Sequence, residues 1–180
     1  ENSARPPHPL ALALIDRLRA HAAPAVLEIG PGSGRNTRAL EAAGFRVLTL
    51  DDDAVATAAL STHALLHGTP ASIAALLERV HSRLEADAPF FVTFGSIRDA
   101  RYGAGTTIEP HVFAPADGDE AGVAHCYFDE ARLRRLLARA WSIESLEETN
   151  VDAIAGSWAH AQKPLERAVH WFAKLRRRGQ

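Results

Sequence analysis

The chain has 180 residues, enough for one domain with a sizeable core and too few for two ordinary ones. Apolar residues make up 47% and charged residues 23%, the profile of a globular protein rather than a disordered or fibrous one. A formal charge of −2 excludes a global electrostatic footprint for nucleic acid, and a single cysteine, Cys126, excludes an internal disulfide.

The first residues carry no signal-peptide pattern, and no apolar run approaches the ~20 residues of a membrane span. The expectation is a cytoplasmic protein with neither nucleic-acid nor membrane partners, existing as a monomer or homodimer. Arg176, Arg177 and Arg178 read as a solvated tail.

Leu10, Leu14, Ile15 and Leu18 recur at helical spacing and predict a helix from residue 10 to about 22, ended by Pro24. Residues 25–29, AVLEI, form a short apolar run stopped by glycines, as a buried parallel strand would. The loop GPGSG follows, then a helical segment over 35–43 closed by Gly44, then a second strand over 45–50. Together these form one βαβ unit.

Residues 58–60 read as a further buried strand ending in Ser61 and Thr62. Ile73, Leu76, Leu77, Val80 and Leu84 mark a helix over 70–85, and PFFVTF at 89–94 reads as another strand. Residues 95–126 are glycine-rich and exceed the usual connection length, which predicts a loop over the acceptor side of a pocket, ordered only with ligand. Asp129 caps a helix carrying Leu133, Leu136 and Leu137. The last strands fall at 141–146 and 167–175, joined by a partly helical connection, which predicts an antiparallel hairpin at one edge of the sheet. The alternation as a whole predicts a single α/β domain over 1–180, a three-layer α/β/α sandwich around a mainly parallel sheet.

One stretch resists this reading. Only about seven residues separate the second strand from the strand at 58, whereas parallel neighbours need a crossover of roughly a dozen. Seven extended residues barely span the ~20 Å return across the sheet. Either the fold is unusually reduced here, or a third strand region is missing near Asp51, Asp52 and Asp53; the second is the expectation.

The strongest chemical signal is Val26, Leu27, Glu28, Ile29, Gly30, Pro31, Gly32, Ser33, Gly34. Three alternating glycines let the backbone turn off a strand and approach a ligand closely. They sit at the carboxyl end of the first strand, where open α/β sheets bind ligands. A dinucleotide fingerprint would need a glycine where Arg35 stands, and Glu28 would repel a pyrophosphate. An acid in that place suits a cationic ligand. Asp51, seventeen residues after Gly34, is placed to accept ribose hydroxyls from the end of the second strand.

The acidic, hydrophobic, GxGxG pattern resembles the first motif of class I S-adenosylmethionine-dependent methyltransferases, whose fold is Rossmann-like. Gly34-Arg35-Asn36, Ser61 through His67, Asp99 through Gly103, His125 through Phe128 and His170-Trp171-Phe172 resemble tellurite-resistance-type and related small-molecule methyltransferases within that group. The resemblance implies S-adenosylmethionine as cofactor, with Glu28, Gly30, Pro31, Gly32, Ser33, Gly34 and Asn36 around its methionine part and Asp51 at the ribose. Ser61, Thr62 and His63 would line the pocket near the sulfonium. Family members carry a third strand and an adenine-contacting acid where this chain has its short stretch, so no adenine contacts are assigned.

Methyl transfer draws much of its rate from alignment and desolvation, and needs a base only for a hydroxyl or protonated amine acceptor. His63 and His125 are the candidates for that role. Arg98, Arg101, Tyr102 and His125 are the candidate acceptor-binding residues. His63 and His67 stand four apart, a metal-ligand spacing on a helix, but without a third ligand nearby no metal site is expected. The competing readings are a nicotinamide-dependent oxidoreductase, opposed by Glu28 and Arg35, and a non-catalytic module that binds S-adenosylmethionine.

Overall fold

A computed structural model describes residues 5–152, 154–157 and 166–179. Helix α1 (Pro9–Leu18) starts where His8 accepts a hydrogen bond from the Leu10 amide and proline occupies the first turn. It ends four residues earlier than the periodicity suggested. Strand β1 (Ala25–Ile29), helix α2 (Arg35–Ala42) and strand β2 (Arg46–Leu48) form the βαβ unit. Strand β3 (Ala58–Ser61), helix α3 (Pro70–Ser82) and strand β4 (Pro89–Ser96) follow. A capping box between Thr69 and Ser72 fixes the start of α3.

The segment from 95 to 126, expected as a loop, contains short strands. It holds strands β5 (Thr106–Glu109) and β6 (Val112–Ala114), and leads into β7 (His125–Phe128). These three pair as an antiparallel meander, and β7 joins the upper end of β4 in parallel. Short strands separated by glycines and prolines gave no clear period, which is why sequence pattern reads as a loop there.

Helix α4 (Glu130–Leu137) is capped by Asp129 as expected. The closing strands β8 (Trp141–Asn150) and β9 (Val169–Arg177) form the antiparallel hairpin, with β9 laid antiparallel along β4. Half of the connection between them, expected to be partly helical, lies outside the described residues. The three terminal arginines are not a loose tail. Arg177 donates to the His81 carbonyl, and Arg178 donates to the Ala138 carbonyl and to Ser142.

Along the main sheet the order is β2-β1-β3-β4, with β9 and then β8 beyond β4. Side chains alternate across it. Val26, Ala58, Leu60 and Phe91 face Leu10, Leu14 and Leu18 of α1 and Leu40 of α2. Leu27, Ile29, Phe90, Val92 and Phe94 face α3 and α4 through Ile73, Leu77, Val80, Leu133 and Leu137. Full burial of each such side chain contributes about 1.5–3 kcal/mol, and the two faces hold the three layers together. Among the described residues no helix is long and apolar enough to cross a membrane.

β2 is the edge strand, and no strand lies outside it among the described residues. The short connection closes because β2 has only three residues, not the six expected. Leu48 pairs with Leu27 and Ala58 with Val26, so the chain needs to regain almost no height. Residues 49–57 cross to the other side of β1, where Thr57 and Ala25 exchange hydrogen bonds. Ala56 pairs with the end of α3 through Arg83 and Glu85.

Candidate cofactor and acceptor site

The chain leaves β1 for β2 on one side and then places β3 on the other, so β1 and β3 flank a topological switch point. The glycine bend rises from β1 at this point, and the segment after β3 rises beside it. Gly30 has φ +67°, and a Cβ there would stand 2.5 Å from the Ala64 Cβ. Glycine is thus required at position 30 both for backbone conformation and for the close approach of the two loops. Around Gly32 there is open space.

Glu28 is buried beneath the bend, 4% exposed. Its Oε2 accepts a 2.6 Å hydrogen bond from Thr37 of α2, while its Oε1 has no hydrogen-bond partner among the described residues. Burial raises its pKa above the usual carboxylate range, against the lowering effect of Thr37. Arg35, at the start of α2, is 6% exposed, and its two terminal nitrogens also lack hydrogen-bond partners among the described residues. Burial, with the nearby Arg5 charge, lowers its pKa to about 10. Arg35 lines a surface pocket of about 380 Å³ with Arg5, Pro6, Asp152 and Gly156. Two orphan charges of opposite sign thus stand at the two ends of one glycine bend.

Other residues expected at the cofactor brace the site. Asn36 accepts from the His8 amide and donates to Thr62, and the Ser61 hydroxyl donates to the Ile29 carbonyl. These bonds tie the N-terminal segment, α2 and the loop after β3 to one another. Pro31, Gly32 and Ser33 are exposed along the bend, and Gly34 is half-buried. Asp51 is exposed, but in a turn rather than at a strand end; the neighbouring Asp52 closes that turn on Thr49.

His63 is buried in a left-handed conformation, φ +66°, its amide donating to Thr93. Its Nε2 is hydrogen-bonded to the Ser157 carbonyl. The ring lies 5.4 Å from that of His8 and 5.2 Å from that of His170. Burial holds all three histidines below the usual imidazole range, His170 down to about 3, so they are neutral near pH 7. Thr37, Thr93, His8 and the His170 contact are beyond sequence reasoning, because they join segments distant in the chain.

Of the acceptor-side candidates, Arg101 and His125 meet on the same oxygen of Glu120, while Arg98 stands apart. Arg98 is exposed and paired with Glu148. Arg101 pairs with Asp99 and stands 3.6 Å from Glu120, and Tyr102 hydrogen-bonds His111. His125 has both ring nitrogens engaged, by the Val123 carbonyl and by Glu120. Cys126 is fully buried, and burial pushes its thiol up to about 12, which keeps it from acting as a nucleophile near neutral pH. His67 lies beside His125 and Glu120 rather than with His63. Glu120 holds its carboxyl well below the usual range through hydrogen bonds to His125 and His67. Nothing in the sequence signalled Glu120, a half-buried acid in the connection between β6 and β7.

No family model matches the chain, and no curated protein matches it significantly. Solved structures do. A S-adenosylmethionine-dependent methyltransferase from Methanosarcina mazei aligns at a TM-score of 0.71 with 13% identity, covering 92% of this chain and 98% of that one. The Burkholderia thailandensis 1,6-didemethyltoxoflavin-N1-methyltransferase, solved with 1,6-didemethyltoxoflavin and S-adenosylhomocysteine, aligns at 0.65 with 19% identity, covering 96% and 80%. A methyltransferase from Mesorhizobium loti aligns at 0.61 with 17% identity, covering 93% and 98%. The chain therefore has the Rossmann-like fold of class I S-adenosylmethionine-dependent methyltransferases, with the antiparallel hairpin predicted from its sequence.

Proposed function

We propose that the protein, as one domain over 1–180, transfers a methyl group from S-adenosylmethionine to a small-molecule acceptor. The observation that carries this reading is the buried Glu28 with its unmatched Oε1 under a glycine bend at the switch point. A buried carboxylate oxygen without a partner is costly, and an ammonium group is its natural complement. Arg35 supplies the matching cation for a carboxylate. The amino acid end of S-adenosylmethionine carries both groups, whereas a pyrophosphate would meet Glu28 as a like charge. The likeness in fold to methyltransferases supports the same reading.

When bound, the cofactor supplies an electrophilic methyl group on positive sulfur, open to in-line attack by the acceptor. The residues of this chain do the holding. Glu28 takes the ammonium and Arg35 the carboxylate, the bend from Gly30 to Gly34 admits the chain between them, and Asp51 takes the ribose. Ser61, Thr62 and Asn36 keep the bend in register with the loop after β3. With Nε2–H donated to Ser157, the His63 Nδ1 carries a lone pair for an acceptor proton, the role a hydroxyl or ammonium acceptor requires. His63 suits that role better than His125, whose ring is committed.

Isothermal titration with S-adenosylmethionine, S-adenosylhomocysteine and NAD tests the cofactor pocket. The first two bind the wild type, NAD does not, and Gly32→Asp abolishes binding. Undiminished binding by Gly32→Asp counts against the pocket. A mass-spectrometric screen of small nucleophiles for added methyl then tests turnover and separates an enzyme from a binding module.

A further inference from the structure

We propose that His67, Glu120 and His125 form a binding site for a divalent first-row transition-metal ion. The three side chains come from separate places: the segment after β3, the connection between β6 and β7, and the first residue of β7. Their ligand atoms all lie within 4.8 Å of one another. Nε2 of His67 is 3.1 Å from one Glu120 oxygen, and Nε2 of His125 is 3.0 Å from the other.

The backbone holds the donors in place before any ion arrives. His67 and His125 face each other across an antiparallel bridge. The Cys126 amide donates to the Leu66 carbonyl, and the Gly68 amide donates to the Ala124 carbonyl. The two rings stand edge to face, 4.8 Å apart.

The second nitrogen of His125 is anchored as well. Nδ1 lies 2.8 Å from the Val123 carbonyl, an acceptor, so this nitrogen carries the hydrogen and Nε2 is the ring atom aimed at Glu120. Arg101 flanks the cluster, with Nε bonded to Asp99 and Nη1 3.6 Å from the same Glu120 oxygen. A metal ion satisfies both imidazoles and the carboxylate at once, and the Val123 carbonyl plays the supporting role that fixes a ligating histidine's tautomer.

Two imidazoles and one carboxylate suit zinc, iron, cobalt or nickel rather than magnesium or calcium. Three protein ligands leave a position open for water or an acceptor oxygen. His67, with its side chain 38% exposed, gives the ion a route from solvent. The assignment stands on this geometry and does not depend on the methyl-transfer reading.

The test uses the full chain stripped with a chelator and titrated with Zn2+ by calorimetry and with Co2+ by visible absorption. One ion per chain is expected, with Co2+ bands of a four- or five-coordinate site, and no competition from Mg2+. His67→Ala, at a half-exposed position, and Glu120→Gln should each weaken Zn2+ by more than the ~10–100-fold typical of losing a supporting contact. His21→Ala, at an exposed histidine elsewhere, should bind as the wild type does. Absence of stoichiometric binding, a Co2+ spectrum unchanged from the aquo ion, or full affinity in His67→Ala would each overturn the site and leave a hydrogen-bonded His125–Glu120 pair in its place.

Discussion

Thr37 donates a 2.6 Å hydrogen bond to Oε2 of Glu28 and leaves Oε1 of the same carboxylate buried without a partner among the described residues. Helix α2 thereby orients the acid beneath the glycine bend while satisfying only half of it. The unliganded protein bears the desolvation cost, and a cationic ligand relieves it.

Glu28→Gln should therefore separate stability from binding. The folded-state pKa of Glu28 is raised, so the native state holds its proton above the pH at which the unfolded chain releases it. Its contribution is fully present below the unfolded value of about 4.5 and is lost as pH rises through the folded value. At neutral pH the neutral amide should raise the melting temperature of the unliganded protein and weaken S-adenosylmethionine binding. Thermal melts with and without ligand check both; a lower melting temperature together with unchanged binding would refute the role.

Arg35→Met tests the opposite charge. Wild-type protein should bind S-adenosylmethionine more tightly than its decarboxylated analogue, by about the tenfold or more that a charged hydrogen bond supports. The variant should bind both alike. Competition calorimetry reads the difference, and a preference that survives in the variant would move the carboxylate elsewhere.

Gly30→Ala introduces a Cβ 2.5 Å from that of Ala64 at a backbone position with φ +67°. Left-handed strain and overpacking together should cost about 2–4 kcal/mol. Adding Ala64→Gly removes the clash but not the strain, so the double variant should recover only part of the loss in a urea melt.

The buried histidines predict acid sensitivity. His8, His63 and His170 have folded-state pKa values below that of the unfolded imidazole, chiefly through burial; neighbouring charges, including Arg35 on His8 and His63 and Arg101 on His170, add to it. Depressed values mean that the stability is present above about pH 6.5 and is lost as pH falls towards the folded values, about 3 for His170. Each group steepens the loss by up to about 1.4 kcal/mol per pH unit. His170→Gln should flatten the slope between pH 6 and 4 by about one such increment, read from denaturation midpoints across that range.

Much of the frame was legible from residues alone. Buried runs such as AVLEI and PFFVTF, Asp129 before an apolar helix, and the glycine triplet after β1 each act locally, through propensity, capping or φ. The meander at 106–128 was not legible, since its strands are short and take their order from pairing with β4 and with one another. The length of β2 was equally hidden. Its six-residue apolar pattern suggested a full strand, yet only three residues find partners on β1.

The sequence by itself determined the alternation of strands and helices, the bend at Gly30 to Gly34 and the acid that precedes it, because backbone conformation and hydrophobic period are set within a few residues. Tertiary structure alone decided which charges are left unmatched. Whether Glu28 Oε1 or the Arg35 guanidinium meets a partner, and whether His67 faces His63 or His125, depends on segments up to a hundred residues apart that the sheet brings within hydrogen-bond reach.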